Sequence, residues 1–340
     1  MLNIDEVVNR PEYNFLRTNP HLNDNIMFLT FGGSYAYGTN VEGSDIDIRG
    51  CALPLASDLI GMTNFEQVLD SQTDTTIYSS KKLIPLLSAC NPNCIELLGC
   101  RPETYTQVSD AGKLLLENRK LFLSMKAKAS FGGYATQQLA RLQNAVCRDR
   151  MDANAQEEHL LCACERAIRH FNERYQALSE GGIQLHIGPS QKQSVASEIL
   201  MDINLKDYPL RDYKCLWNDM NELTKNFAKL NARNQKKDDK HLNKHMMHLI
   251  RLYLMLIDIY ELEDIITYRE KDHDLLMSIR NGEFMDGKGL VRPEFYDMLN
   301  NLKTRTAYAE KNSSLPEKPD FSKINDLTMA IHKYCLRRND

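Results

Sequence analysis

The chain has 340 residues, of which 42% are hydrophobic and 26% charged, with a formal net charge of −4. These values fit a soluble globular chain of one large or two ordinary domains. The acidic balance gives no global positive field for nucleic acid, so any such binding needs a local basic groove. The nine cysteines have no disulfide-like framework and read as reduced, mostly buried thiols of a cytoplasmic protein. Cys162 with Cys164, and the loosely spaced Cys90, Cys94 and Cys100, are only a weak zinc signal. The opening MLNIDEVVNRPEYNF lacks the basic segment and apolar run of a signal peptide. No apolar stretch is long enough to cross a membrane.

In chain order, Ile26 to Phe31 is a short apolar run ending at Gly32-Gly33, which predicts a buried strand. Asp45 to Gly50 alternates polar and apolar residues and predicts a half-buried strand. Asp74 to Tyr78, rich in β-branched and aromatic residues, predicts a third. Lys81 to Cys90 reads as a helix, and Asn91-Pro92 as the cap and first turn of the next. From about Asp110 onward the pattern is helical: 122–146, 157–178, 190–203, 213–230 and 241–261 are candidates. Gly181-Gly182 interrupts them, 184–188 reads as a short strand or a loop, and 232–240 as a solvated polar link. The boundary near residue 110 thus separates a mixed part from a mostly helical one, with a cleft expected between them.

The informative stretch is GGSYAYGTNVEGSDIDIRG, residues 32 to 50. Asp45 and Asp47 stand two apart on the predicted strand, and such side chains share one face. Two adjacent carboxylates repel and need a cation; hard oxygen donors suit Mg²⁺, which keeps waters and takes further ligands from substrate phosphates. The plain alternative is an exposed Asp-x-Asp on a strand edge. Upstream, Gly33 allows a sharp turn and Ser34 adds a hydroxyl where free N–H groups can hold phosphate. Asp74 opens the next strand and can join the same face, with Asp70 as its competitor just ahead of the Ser71-Gln72-Thr73 turn. Three carboxylates can bind two metal ions, one for the attacking oxygen and one for the leaving phosphate.

Gly33-Ser34, ten residues, then Asp45-Ile46-Asp47 resembles the signature of the DNA polymerase β nucleotidyltransferase superfamily. SDIDIRG, DTTIYSSKKLIPLL, NPNCIELL, FGGYATQQLARL, KHMMHLIRLYLMLIDIYEL and LLMSIRNGEF resemble its RNA-repair-pathway (RlaP-like) branch. The resemblance implies an α+β fold: a mixed sheet flanked by helices forms a catalytic domain over residues 1–110, and a mostly helical part over 111–340 closes the nucleotide cleft. It implies Asp45, Asp47 and Asp74 as catalytic metal ligands for two Mg²⁺ ions, for which Mn²⁺ can substitute. It implies Gly33 and Ser34 as phosphate contacts.

Lys244, His248 and Arg251 stand at i, i+4 and i+7 of one helix face. Periodicity alone reads this as a solvated basic face; the resemblance makes Lys244 and Arg251 triphosphate contacts, with His248 beside them. Lys82, Tyr134, Gln138 and Arg141 are lesser candidates for the nucleotide or acceptor, Glu96 for a supporting partner, and Arg49 for offsetting the acidic pair. The expected reaction moves a nucleoside monophosphate from a nucleoside triphosphate to an acceptor hydroxyl. An RNA end (tRNA or cleaved RNA) is the first acceptor, a protein the second and a small molecule the third. A nucleotide-binding regulatory module without catalysis is the non-enzymatic alternative.

Overall fold

The computed structural model describes residues 2–150, 182–190, 197–231 and 239–337, with scattered residues between 158 and 168. Five strands, β1 (Ile26–Phe31), β2 (Ile48–Ala52), β3 (Gln67–Asp70), β4 (Thr75–Ser79) and β5 (Tyr105–Thr106), form one mixed sheet in the order β3-β4-β2-β1-β5. Every residue of β1 is buried, as suits a run that is apolar but for Thr30. β2 lies antiparallel to β1 but parallel to β4, with Ile48 opposite Thr75 and Arg49 opposite Thr76. The β3–β4 hairpin makes this possible by bringing the chain back before β4 begins.

Side chains alternate between the faces of the sheet. Leu29, Phe31, Ile48 and Ile77 pack on one face against Ile4, Val7 and Leu16 from the first helices of the chain. Arg49, Thr76 and Tyr78 take the opposite alternation and belong to the face that carries the candidate site. Ser79 caps helix Ser80–Ser88 by accepting from the Lys81 amide, and Asn91 caps Pro92–Ile95 by accepting from that of Asn93.

The chain divides into two compact units. One comprises residues 1–139, 243–284 and 292–340, so the sheet and most of helix Asp239–Leu262 fall together. It also holds helices His273–Arg280, Pro293–Asn312 and Phe321–Arg337, whose limits the sequence had not marked. The other unit comprises 140–242 and 285–291. It contains the hairpin of β6 (Gly182–Pro189) and β7 (Ser197–Asn204), helix Tyr213–Asn231, and a small core of Cys164, Ile168, Ile183 and Leu223. The helix expected over 190–203 is therefore corrected to a strand over 197–204. β7 pairs with β6 rung by rung from Ser197 opposite Pro189 to Asn204 opposite Gly182, and this pairing overrides a helical reading of its apolar residues. The expected helix over 157–178 and the polar link over 232–240 lie largely outside the described residues. No described helix is long and apolar enough to cross a membrane.

Helix Asp110–Glu117 crosses β1 at Gly112. The Ser109 amide donates to the Met27 carbonyl at 2.8 Å, and a Cβ at Gly112 would stand 2.1 Å from that same oxygen. Gly112→Ala is therefore expected to lower stability by about 1–3 kcal/mol through overpacking. The denaturation midpoint followed by circular dichroism reads this, and an unchanged midpoint contradicts the close approach.

Candidate functional site

The parallel register of β2 and β4 starts at Ile48 opposite Thr75, so the residues immediately before them, Asp47 and Asp74, meet side by side. Their carboxyl groups are hydrogen-bonded to each other. Both strands begin later than expected. Asp45 and Asp47 precede β2, and Asp74 is the last residue of the turn before β4, in the left-handed region at φ 44°. The same-face argument for Asp45 and Asp47 thus fails: Asp47 is half-buried while Asp45 is exposed. The structure brings Asp47 and Asp74 together and places Asp45 on the exposed loop just before them. Among the described residues, no group of three His, Cys, Asp or Glu side chains could hold a metal ion. Asp70 is spent on its own turn, where its Oδ2 accepts from the Thr73 amide at 2.9 Å and hydroxyl at 2.7 Å.

The bend adjoins the pair. Gly33 has φ +54°, and a Cβ there would stand 2.0 Å from Asp47 Oδ2, so both conformation and space demand glycine. Gly33 opens a short helix, Gly33–Tyr37, in which Ser34 is buried and its carbonyl accepts from the amides of Gly38 and Thr39. Arg49 joins the two acids: its Nη2 lies 3.3 Å from Asp47 Oδ1 and 3.1 Å from Asp74 Oδ1. Burial, and then the hydrogen bond and charge of Asp74, push the Asp47 carboxyl up to about 7, against the downward pull of Arg49 and Lys244. Asp74 is held below the usual carboxylate range, first by its hydrogen bond with Asp47 and then by Arg49 and Lys244. The pair therefore holds a proton on Asp47 below about pH 7. Its oxygens suit Mg²⁺, which needs one or two protein carboxylates when substrate phosphates and water supply the rest.

Of the expected cations, Lys244 is exposed and close enough to act on both acids. His248 packs edge-on against Tyr37, with ring centroids 6.0 Å apart, and its imidazole is held well below its usual range. Burial is the first cause, and the charges of Arg251, Lys244, His245 and Arg280 add to it. His248 is thus neutral rather than a cation. Arg251 departs furthest from expectation: it is 4% exposed, donates to Glu96 Oε2 at 3.0 Å, and lies 3.6 Å over the Tyr37 ring. Glu96 also accepts from the Tyr37 hydroxyl at 2.9 Å, so a triphosphate role for Arg251 would require this buried cluster to open.

Arg280, which the sequence reading did not single out, donates to the Thr39 carbonyl at 2.7 Å and to the Ser44 hydroxyl at 3.2 Å. It fastens the loop between the bend and Asp45, and its only sequence signal was its place within LLMSIRNGEF. Lys82 pairs with Glu66 at 2.9 Å. Tyr134 accepts from Asn91 at 3.3 Å, Gln138 bonds His245 at 3.0 Å, and Arg141 is exposed.

Two outcomes follow from these energetics. Arg251→Met strands a buried Glu96 carboxylate and is expected to cost about 3–5 kcal/mol. Adding Glu96→Gln removes the stranded charge and should recover part of that loss; chemical denaturation of both variants checks it. For Asp47, a folded pKa near 7 exceeds the unfolded one. Its stabilising contribution is therefore complete below the unfolded pKa and is lost as pH rises through about 7. Asp47→Asn should abolish this part of the decline, so that the variant gains on the wild type in melting temperature between about pH 4 and about pH 7, the range spanned by the two pKa values. Parallel melting curves would refute this.

Residues 8–152 match the RNA repair pathway DNA polymerase beta family, RlaP. A second similarity is to the "Uncharacterized 38.9 kDa protein in nrdC-mobD intergenic region" of Enterobacteria phage T4, at 25% identity over 126 residues. That alignment takes in 33% of this chain and 37% of the phage protein, so the chain spans little more than a third of that relative's length. No solved structure matches the chain. The matched segment contains the sheet, the glycine-serine bend and both paired acids, so the similarity to the RNA repair pathway DNA polymerase beta family covers the part of the chain that builds the candidate site.

Proposed function

We propose that the chain is a Mg²⁺-dependent nucleotidyltransferase that moves a nucleoside monophosphate from a nucleoside triphosphate to a hydroxyl at an RNA end. The observation that carries this reading is the Asp47–Asp74 pair, set against the Gly33 backbone and within electrostatic range of Lys244. Asp47 and Asp74 would hold Mg²⁺, which would supply charge neutralisation and lower the pKa of the acceptor hydroxyl.

In this reading the Gly33-Ser34 bend seats the phosphate tail and exposed Lys244 meets its charge. Asp74, the member of the pair that stays ionised and so can accept, takes the acceptor proton. The acceptor oxygen bonds to the α-phosphorus as the bond to the β-phosphate bridging oxygen breaks, and pyrophosphate leaves. Asp47 stays on Arg49 and holds the other side of the pair. Catalysis rests on positioning and on charge placed in advance. Asp45, on the exposed loop before Asp47, joins as a ligand only if the loop held by Arg280 carries it inward. The RNA acceptor rests on the description of the matching family. With a net charge of −4, it calls for a local patch such as Lys244 rather than a global field.

The test is incubation with each labelled nucleoside triphosphate, Mg²⁺, RNA bearing free ends, and cell lysate. Wild type should release pyrophosphate and label RNA, and Asp47→Asn combined with Asp74→Asn should reduce this by at least about a thousandfold. Unchanged release in the double variant rejects the site, whereas label on a protein band rejects RNA as the acceptor and keeps the chemistry.

A further inference from the structure

The Arg49 guanidinium does more than sit near two acids. Its Nη2 reaches Asp47 Oδ1 at 3.3 Å and Asp74 Oδ1 at 3.1 Å. Its Nη1 donates to the Ile48 carbonyl at 3.1 Å and also to the backbone carbonyl of Asp74. The stem is packed as well, because a Cβ at Gly32 would fall 2.7 Å from Arg49 Cγ. The head is therefore anchored to backbone at the start of β2 and at the turn before β4, independently of the carboxylates. The stem lies against the Gly32 backbone, where only glycine leaves it room. A planar fork with several donors makes these contacts together, whereas an ammonium group of the same charge cannot.

Each carboxylate commits Oδ1 to this fork. A counter-ion that came and went would leave Asp47 and Asp74 free to separate under their own repulsion. A cation bolted to the backbone of both elements holds them in place.

We propose that Arg49 is the positioning residue of the acid pair, a fixed clamp that keeps Asp47 and Asp74 assembled as a receptor for a divalent cation. This inference rests on the metal-dependent reading above and adds to it a residue whose geometry, beyond its charge, sets the affinity of the site. The rival role is purely local: Arg49 ties the turn before β4 to β2, and the metal affinity of the folded protein does not depend on it.

The experiment titrates the full chain with Mn²⁺ alone, without nucleotide, and reads free Mn²⁺ by electron paramagnetic resonance. Wild type, Arg49→Lys and Arg49→Gln are compared, with near-ultraviolet circular dichroism to establish folding. Both variants are expected to bind Mn²⁺ at least about tenfold more weakly, the usual scale for losing a partner that orients a metal ligand. Wild-type affinity in Arg49→Lys shows that charge alone suffices and overturns the clamp. Equal or tighter binding by folded Arg49→Gln also overturns it, making Arg49 a bystander or a competitor of the cation. If Arg49→Gln does not fold, the Arg49→Lys result decides. Failure of the wild type itself to bind Mn²⁺ overturns the receptor proposed here, whereas the metal-dependent reading fails separately if wild-type pyrophosphate release is independent of Mg²⁺.

Discussion

Two carboxylates placed side by side by a parallel strand register are a standing repulsion, and much of the surrounding structure answers it. β2 and β4 enter the sheet in parallel, so Asp47 and Asp74 cannot avoid each other. Like charges facing across strands destabilise a sheet. Three features offset the cost: a proton retained by Asp47, a guanidinium spanning both acids, and the charge of Lys244. The two glycines before the bend belong to the same arrangement. Gly32 leaves room for the Arg49 stem and Gly33 for the Asp47 carboxyl.

A second buried charge cluster holds the bend from behind. The helix that begins at Gly33 ends at Tyr37, whose hydroxyl donates to Glu96, and Glu96 in turn pairs with Arg251. The segment after this arginine's helix is stitched to the same place: Thr267 donates to the Glu96 carbonyl, and the Arg269 amide donates to the Tyr37 carbonyl. Gly38 has φ +75°, and a Cβ there would collide with the Tyr268 ring. Burying such an ion pair is a weak route to stability, because desolvation consumes most of the Coulombic gain. Its evident effect is to fix geometry, tying chain near residue 96 and chain near residue 251 to the bend that abuts Asp47.

Much of this was legible in the sequence because short-range chemistry fixed it. The apolar run into Gly32-Gly33 gave β1 and the bend, and Asn91-Pro92 gave the start of a helix. Asp74 was separable from Asp70 because Asp70 precedes a polar turn, which its side chain does cap. What was not legible depended on partners distant in sequence. Strand starts were misjudged because alternation in DIDIRG extends beyond the residues that find a ladder partner. Periodicity put Lys244, His248 and Arg251 on one face but could not say that Arg251 would meet Glu96. β7 looked helical until its pairing with β6 was known. Arg280 bonds a loop more than two hundred residues away in sequence, which no local pattern reports.

The electrostatics around His248 tie these parts to the proposed chemistry. Burial is the first reason its imidazole loses its proton easily, but four neighbouring basic residues, Arg251, Lys244, His245 and Arg280, act in the same direction. A neutral histidine among cations reports a positive local potential, although the whole chain carries a net charge of −4. Arg251 and Arg280 cannot leave their partners cheaply, and Arg49 is held by the acids, so Lys244 is the member of this group left exposed near the pair. A polyanion approaching the bend would meet this positive potential beside the carboxylate pair. On the proposed reading the phosphates would answer the positive charge around Lys244, and a divalent cation carried with them would take the place of the proton on Asp47, so that the phosphate and metal expectations would meet at one site.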